Sequence, residues 1–360
     1  MSMRLKLPAL LLAMASFSAV QAAPLYKVSI LSGPGYDTTK AIDLNNAGQV
    51  VGWTNSGSYL WTDQGATQLD RDFRATGINN HGVVVGTMFN LPGTHYDETS
   101  YHAYTYSSQG YQRVTPPTSH ASNPHSYAED INDSGTVVGA NFDGYAYLPA
   151  RFQQKQITEF PLGYGDASAI NNSGTIVGTF EYDEPGWFRH HSFIYLNGKV
   201  QDIPVQGIDS IYAEDLNDAN KVVGRITAAT GGGGYAYIYS EGQVQKLDVF
   251  GAFYSQASGI NNRDQVVGTY GASYNDQKPF LYDGGTAYDL NALVRPGSGV
   301  TITGAAAIND VGQIAGQGCD KSGNCYALLL SAVPEPQTWG MLLAGLGLVG
   351  WMGRRRLPAD

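Results

Sequence analysis

An all-β fold, a seven-bladed β-propeller of four-stranded antiparallel blades, is predicted by three observations. A short motif recurs seven times, at a mean spacing of 44 residues. Within each repeat the hydrophobic period is that of strands, with no sustained helical pattern. The two ends of the repeated region also complement one another, so that the array can close on itself.

The motif is Ala, two variable residues, Ile or Leu, then Asn. It begins at Ala41, Ala75, Ala128, Ala167, Ala213, Ala257 and Ala305. Each copy runs through a turn into a Val- or Ile-rich segment ending at Gly52, Gly86, Gly139, Gly178, Gly224, Gly268 or Gly316. An aromatic-rich strand follows, as at 59–62, 193–196, 236–239 and 279–282, and then a fourth short strand. Four antiparallel strands in a unit of this length are the signature of a propeller blade. Six or eight blades, or a β-solenoid, are the alternatives.

The last repeat is interrupted before a fourth strand can form, whereas residues 25–31 form a strand-like segment ahead of the first motif. The N-terminal strand is therefore expected to complete the last blade and close the ring. Closure also covers sheet edges that an open array would expose. The units, with segments such as GINNHGVVVG (77–86) and DINDSGTVVG (130–139), resemble the HAF family of extracellular repeats. That resemblance implies architecture and location, and no activity.

Three positions of the motif have a structural reading. The fourth residue counting from the Asn is Gly48, Gly82, Gly135, Gly174, Asn220, Asp264 or Gly312, the residue types that best tolerate positive φ. The repeated alanine suits a crowded innermost strand. Asp43, Asp130 and Asp215 stand two before the Asn in repeats one, three and five, and are expected to be solvated groups of a central channel that could hold a cation or water. Residues 130–135 imitate the start of a calcium loop, but Asn141 occupies the place of its last carboxylate.

Both ends lie outside this fold. Residues 1–22 carry Arg4 and Lys6, an apolar run and a small-x-small ending at Ala22, which reads as a cleaved signal peptide. The apolar run is too short for a membrane anchor. Residues 23–333 form the propeller and 334–360 a tail. In the tail Thr338 to Gly353 is uncharged, a helix of roughly 24 Å at about 1.5 Å per residue. Arg354, Arg355 and Arg356 follow it and orient it with its C-terminus in the cytoplasm. Gly345, Gly347 and Gly350 imitate a dinucleotide fingerprint, which the membrane context excludes.

With Pro334, Glu335 and Pro336 ahead of the apolar run and the three arginines behind it, the tail resembles the PEP-CTERM sorting signal. The resemblance implies an inner-membrane precursor facing the periplasm and recognition by an exosortase-type enzyme. It also implies loss of the transmembrane helix from a mature surface or extracellular protein linked to exopolysaccharide and biofilm. A permanent C-terminal anchor is the alternative.

The chain between the two signals has 16 basic and 29 acidic residues, a formal charge of −13. That acidity argues against nucleic acid as a partner. Cys319 and Cys325, the only cysteines, are expected to form a disulfide across a hairpin loop in an oxidising compartment. No cofactor or metal is expected.

The tight turns of a propeller lie on one face. The variable connections lie on the other, at 87–102, 115–129, 179–191 and 269–278. On that face Tyr96, Tyr101, Tyr182, Trp187 and Tyr274 are candidate platforms for sugar rings, with Asp97, Asp183 and Glu184 as hydrogen-bond acceptors. The expectation is a non-catalytic binding or matrix protein. A polysaccharide hydrolase or lyase is the rival, although no Gly-x-Ser-x-Gly elbow is present and the adjacent His190 and His191 would point opposite ways in a strand. A platform for envelope proteins is the third reading.

Overall fold

A computed structural model describes residues 24–31, 39–89, 101–116, 125–184, 187–205, 209–228, 233–273 and 275–333. The expected signal peptide, 1–22, and the tail, including Pro334, Glu335, Pro336 and Arg354 to Arg356, lie outside the described residues. Among the described residues no helix is long and apolar enough to cross a membrane.

The regular structure of the described chain is almost entirely antiparallel strand. After β1 (Leu25–Leu31), the first repeat folds as β2 (Thr39–Leu44), β3 (Val50–Thr54), β4 (Gly57–Thr62) and β5 (Gly65–Gln68). The second comprises β6 (Phe73–Ile78), β7 (Val84–Met88), β8 (His102–Ser107) and β9 (Gly110–Arg113). The third comprises β10 (Ser126–Ile131), β11 (Val137–Phe142), β12 (Tyr147–Gln153) and β13 (Gln156–Glu159). The fourth comprises β14 (Tyr164–Ile170), β15 (Ile176–Glu184), β16 (Trp187–Leu196) and β17 (Lys199–Asp202). The fifth holds β18 (Ser210–Leu216), β19 (Val222–Thr227), β20 (Gly234–Ser240) and β21 (Gln243–Lys246). The sixth holds β22 (Tyr254–Ile260), β23 (Val266–Ser273), β24 (Asp276–Asp283) and β25 (Thr286–Asp289), followed by a 3-10 turn at Leu290–Leu293. One parallel bridge, Gly234 to Tyr254, joins the fifth sheet to the sixth. The last sheet has β26 (Val300–Ile308), β27 (Ile314–Asp320) and β28 (Cys325–Val333), with β1 as its fourth strand. β1 and β28 pair from Leu25 with Val333 to Leu31 with Ala327.

Two adjacent residues open the second strand of each repeat, and both are fully buried, as at Val50 and Val51 or Ile176 and Val177. A strand with one solvated face would alternate, so these strands are covered on both sides. Each sheet supplies half of two apolar interfaces. Val51 shares a cluster with Val84, Val85 with Val137, Val138 with Ile176 and Val177 with Val222. Val223 shares one with Val266, Val267 with Ile314, and Ala315 with Val50. The core is therefore a circuit of interfaces between sheets, each fully buried aliphatic side chain contributing about 1.5–3 kcal/mol.

The glycine that follows has a steric cause. A Cβ on Gly178 would lie 2.1 Å from the Asp166 carbonyl oxygen, and the other six glycines of this position meet the corresponding carbonyl in the same way. The inner strand bulges at each repeated alanine, as between Ala167 and Ala169, which brings its backbone that close. The turn residues also adopt left-handed conformations, from Gly174 at φ 84° to Asn220 and Asp264 at φ 61°.

The repeated asparagine joins the repeats. Asn45 Oδ1 accepts from Ala47 N and Gln49 N within its own turn, while Asn45 Nδ2 donates to the Asn79 carbonyl at 3.0 Å. Asn79 donates to Asn132, Asn132 to Asn171, Asn171 to Asn217, Asn217 to Asn261, Asn261 to Asn309, and Asn309 back to Asn45. A second circuit runs through the next residue. Asn46 N donates to Asn80 Oδ1, and the pattern passes through Asp133, Asn172, Asp218, Asn262 and Asp310 back to Asn46. The turn face is thus occupied by bonds between repeats.

Two sequence expectations are corrected. Asp43 and Asp130 do line a central cavity shared by all seven repeats, but they and Asp215 are not free groups there, because each carboxylate clamps its repeat to the next. Asp43 accepts from Leu44 N and Ile78 N, Asp130 from Ile131 N and Ile170 N, and Asp215 from Leu216 N and Ile260 N. The bulge frees those N–H groups and the carboxylates satisfy them. Repeats two and four use hydroxyls instead, Thr76 Oγ1 donating to the Ala128 carbonyl and Ser168 Oγ to that of Ala213. The segments 179–191 and 269–278, expected as loops, are mostly strand, since β15 and β16 pair from Ile176 with Tyr195 out to Glu184 with Trp187. Their Thr, Phe, Tyr and Trp content favours extension of the hairpin.

Candidate functional site

Each inner strand starts on the face opposite the Asn turns, so residues before the repeated alanine open towards the variable connections. Exposed aromatic side chains gather on that face. Tyr145 is 95% exposed between β11 and β12, Tyr164 52% at the start of β14, and Phe250 and Phe253 53% and 56% between β21 and β22. Phe250 holds a left-handed φ of 55° with its ring 4.7 Å from that of Tyr270. A bulky residue in that conformation is strained, and the strain is kept where it presents the ring.

Tyr164 ends a chain of rings across repeats two to four. Phe89 meets Tyr101 at 5.0 Å, Tyr101 meets Tyr127 at 5.7 Å, Tyr127 meets Tyr147 at 5.0 Å and Tyr147 meets Tyr164 at 6.3 Å. His125 and Phe142 flank it, His125 5.2 Å from Tyr101 and Phe142 5.1 Å from Tyr147.

Beside Tyr164 a cavity of about 380 Å³ opens between repeats four and five. Its charged wall comprises Glu129, Asp166, Glu181, His190, Glu214 and Arg225. Arg225 forms an ion pair with Glu214 and lies 3.9 Å above the Tyr212 ring, whose other neighbour is His190 at 4.7 Å. His190 Nδ1 is 3.7 Å from Glu181, directly across the β15–β16 pairing. Burial, then the charge of Asp166, pushes Glu129 up to about 7, against the pull of Arg74. Burial and Glu214 push Asp166 up to about 6. Burial also raises Glu214, opposed by Arg225, and lowers His190.

The opposite sector of this face differs in chemistry. A cavity of about 260 Å³ there is lined by Lys40, Gln256, Gln277 and Gln317. Nearby, Lys40 Nζ and Arg74 Cζ lie 5.3 and 5.5 Å from the Trp53 ring centroid.

Of the sequence candidates, Tyr101 stands in the chain of rings, half-buried. Tyr182, Asp183 and Glu184 end β15 and Trp187 begins β16, with Glu184 paired to Trp187 and Asp183 to Phe188. Tyr96, Asp97 and Tyr274 lie outside the described residues. Cys319 and Cys325 are joined in a disulfide at the turn between β27 and β28. Among the described residues no group of three or more His, Cys, Asp or Glu is placed to hold a metal ion.

Two of the cavity carboxylates were missed because they lie within the motif. Glu129 and Glu214 follow the repeated alanine, where the other copies have Ile42, Thr76, Ser168, Ser258 and Ala306. Differences among motif copies at this one position would have found them.

The fold is that of β-propellers. The β-propeller domain of the trilobed protease from Pyrococcus furiosus is similar over 82% of this chain and 94% of its own length, at 12% identity and a TM-score of 0.58. YCF48 bound to D1 peptide matches over 87% of this chain and 98% of its own, at 11% identity and 0.51. The Pyrococcus horikoshii acylaminoacyl peptidase matches over 80% of this chain at 11% identity and 0.51, and this chain spans about half of that protein, 52%. At such identities the likeness is one of fold alone.

Residues 332–356 match the PEP-CTERM protein-sorting motif. A comparison with curated proteins finds no match. The chain is thus a β-propeller with a sorting signal that implies export and processing by an exosortase-type enzyme.

Proposed function

We propose that this is a seven-bladed propeller of HAF-type repeats, anchored in the inner membrane as a periplasm-facing precursor. The mature form acts at the cell surface or outside it as a non-catalytic binder of exopolysaccharide, in a biofilm setting. The closed circuits of Asn bonds and of apolar clusters support the blade count. One observation carries the function: the chain of rings through Tyr127, Tyr147 and Tyr164 ends at the rim of a polar cavity on the variable face. Flat rings stack on the apolar faces of sugars, and carboxylates beside them accept hydrogen bonds from hydroxyls. Retention of the exported protein on immobilised exopolysaccharide of its host tests this, with loss expected in Tyr164→Ala and Tyr145→Ala. Absence of retention, or retention indifferent to both substitutions, sinks the reading.

A second reading, a polysaccharide hydrolase, is favoured by the unlike partners of the cavity carboxylates. Glu129, raised to about 7, suits a general acid, and Glu214, raised by burial but ion-paired with Arg225, suits its carboxylate partner. Release of new reducing ends from the bound polymer, abolished by Glu129→Gln, would replace the binding reading with this one.

A further inference from the structure

We propose that the cavity between repeats four and five takes the protonated amine of an amino sugar within the bound polysaccharide, an inference that rests on the polysaccharide reading above. Glu214 and Glu181 have cationic or imidazole partners, Arg225 and His190. Glu129 and Asp166 line the same cavity, and among the described residues neither carboxylate makes a hydrogen bond or a contact ion pair; Glu129 feels Arg74 only as a weaker, opposing charge that leaves it raised. Carboxylates taken out of water without a cation in contact are costly, and a cation entering between them lowers that cost.

The size and walls of the cavity define the cation. A divalent ion would call for a denser set of oxygen ligands than two carboxylates supply, and the described residues form no such set. An ammonium needs only a few acceptors and tolerates aromatic walls, here Tyr164 and Tyr212. Tyr164 belongs to both the cavity and the chain of rings, so a polymer lying along the rings passes the cavity mouth. An N-acetylated unit presents no charge and leaves Glu129 and Asp166 uncompensated. The burial that raises both groups is relieved by the bound amine, so binding releases protons near neutral pH.

Paired probes that differ only in acetylation test the proposal: a glucosamine hexamer and an N-acetylglucosamine hexamer, titrated at about pH 7, where amines of the α-amino class are mostly protonated. The exported protein should bind the glucosamine hexamer at least about tenfold more tightly, the scale of one charge-assisted hydrogen bond. Glu129→Gln and Asp166→Asn should each bring the ratio close to one. Asp63→Asn, an exposed acid outside the cavity, should keep the ratio. Equal affinity for the two hexamers, a ratio kept in both cavity variants, a ratio lost equally in Asp63→Asn, or binding of neither hexamer overturns the amine proposal. Binding of the acetylated hexamer that depends on Tyr164 leaves the polysaccharide reading standing when the amine proposal fails.

Discussion

Asn309 donates from its side-chain amide to the backbone carbonyl of Asn45 at 2.9 Å, across 264 residues of sequence. The same bond joins every other pair of successive repeats, but here it closes the circuit. It adds to the closure made when β1 completes the last sheet.

Asn309→Ala should therefore lower stability by about 1–3 kcal/mol, the range for leaving buried backbone groups unpaired. It removes the acceptor for Gln313 N and the donor to Asn45 O together. Asn309→Asp keeps the acceptor, loses the donor and sets an anion against a carbonyl, and should cost more. Urea titration of both variants checks the order, and equal stability for all three proteins would contradict the role given to this bond.

The close approach at the motif glycine gives a sharper effect. Gly178→Ala places its Cβ where the Asp166 carbonyl oxygen stands at 2.1 Å, with the Phe193 ring at 2.6 Å behind it. Backbone on one side and a fully buried ring on the other leave no room to relax. The cost should exceed the 1–3 kcal/mol typical of overpacking. Gly110→Ala meets nothing within 4 Å, but Gly110 has φ 85° and should cost roughly 1–2 kcal/mol from conformation alone. Thermal melts of the two variants separate contact from conformation, Gly178→Ala falling further.

These effects divide what the sequence made legible from what it did not. Positions explained by local backbone rules, such as the left-handed Gly174 and Asn220, were readable because φ is set by the residue itself. The pairing of β1 with β28 was readable from a repeat lacking its fourth strand. The asparagine circuit was not, since the partner of Asn45 is a backbone carbonyl in another repeat and any sequence supplies one. Asp43 misled for the same reason: its acceptors are used by N–H groups that only the bulge sets free. The cavity was hidden because Glu129, Asp166 and Glu214 come from three different repeats and meet only when the sheets are arranged around an axis.

The Cys319–Cys325 disulfide closes a short loop, with a sequence separation of 6. On a chain-entropy account so short a loop stabilises by roughly 2 kcal/mol. The double substitution Cys319→Ser with Cys325→Ser should lower the urea midpoint accordingly. Under the proposed polysaccharide binding it should leave retention on exopolysaccharide unchanged, because the bridge lies in the last repeat and Tyr164 and its cavity in repeats four and five. Loss of retention in a folded double variant would place the binding surface elsewhere.

The dependence of stability on pH follows from the inner carboxyls. Burial, then the charge of Asp130, lifts Asp43 up to about 8, and the N–H bonds from Ile78 and Leu44 offset this only in part. Burial lifts Asp215 to about 7, with Glu129 at about 7 and Asp166 at about 6. A carboxyl raised in the folded state binds its proton more tightly there than in the unfolded chain. Its contribution is complete below the ordinary carboxyl range near 4 and is lost as pH rises through 6 to 8. His102, lowered to about 4 by burial and Arg113, and His190, also lowered by burial, act in the opposite sense as the unfolded histidines take up protons around 6.5. Between pH about 8 and 6.5 the four raised carboxyls outweigh these two histidines, so the melting temperature should rise as pH is lowered across that window. Asp215→Asn should flatten part of the rise. A melting temperature that is level or falls as pH drops from 8 to 6.5 would mean that these carboxyls stay ionised in the folded ring.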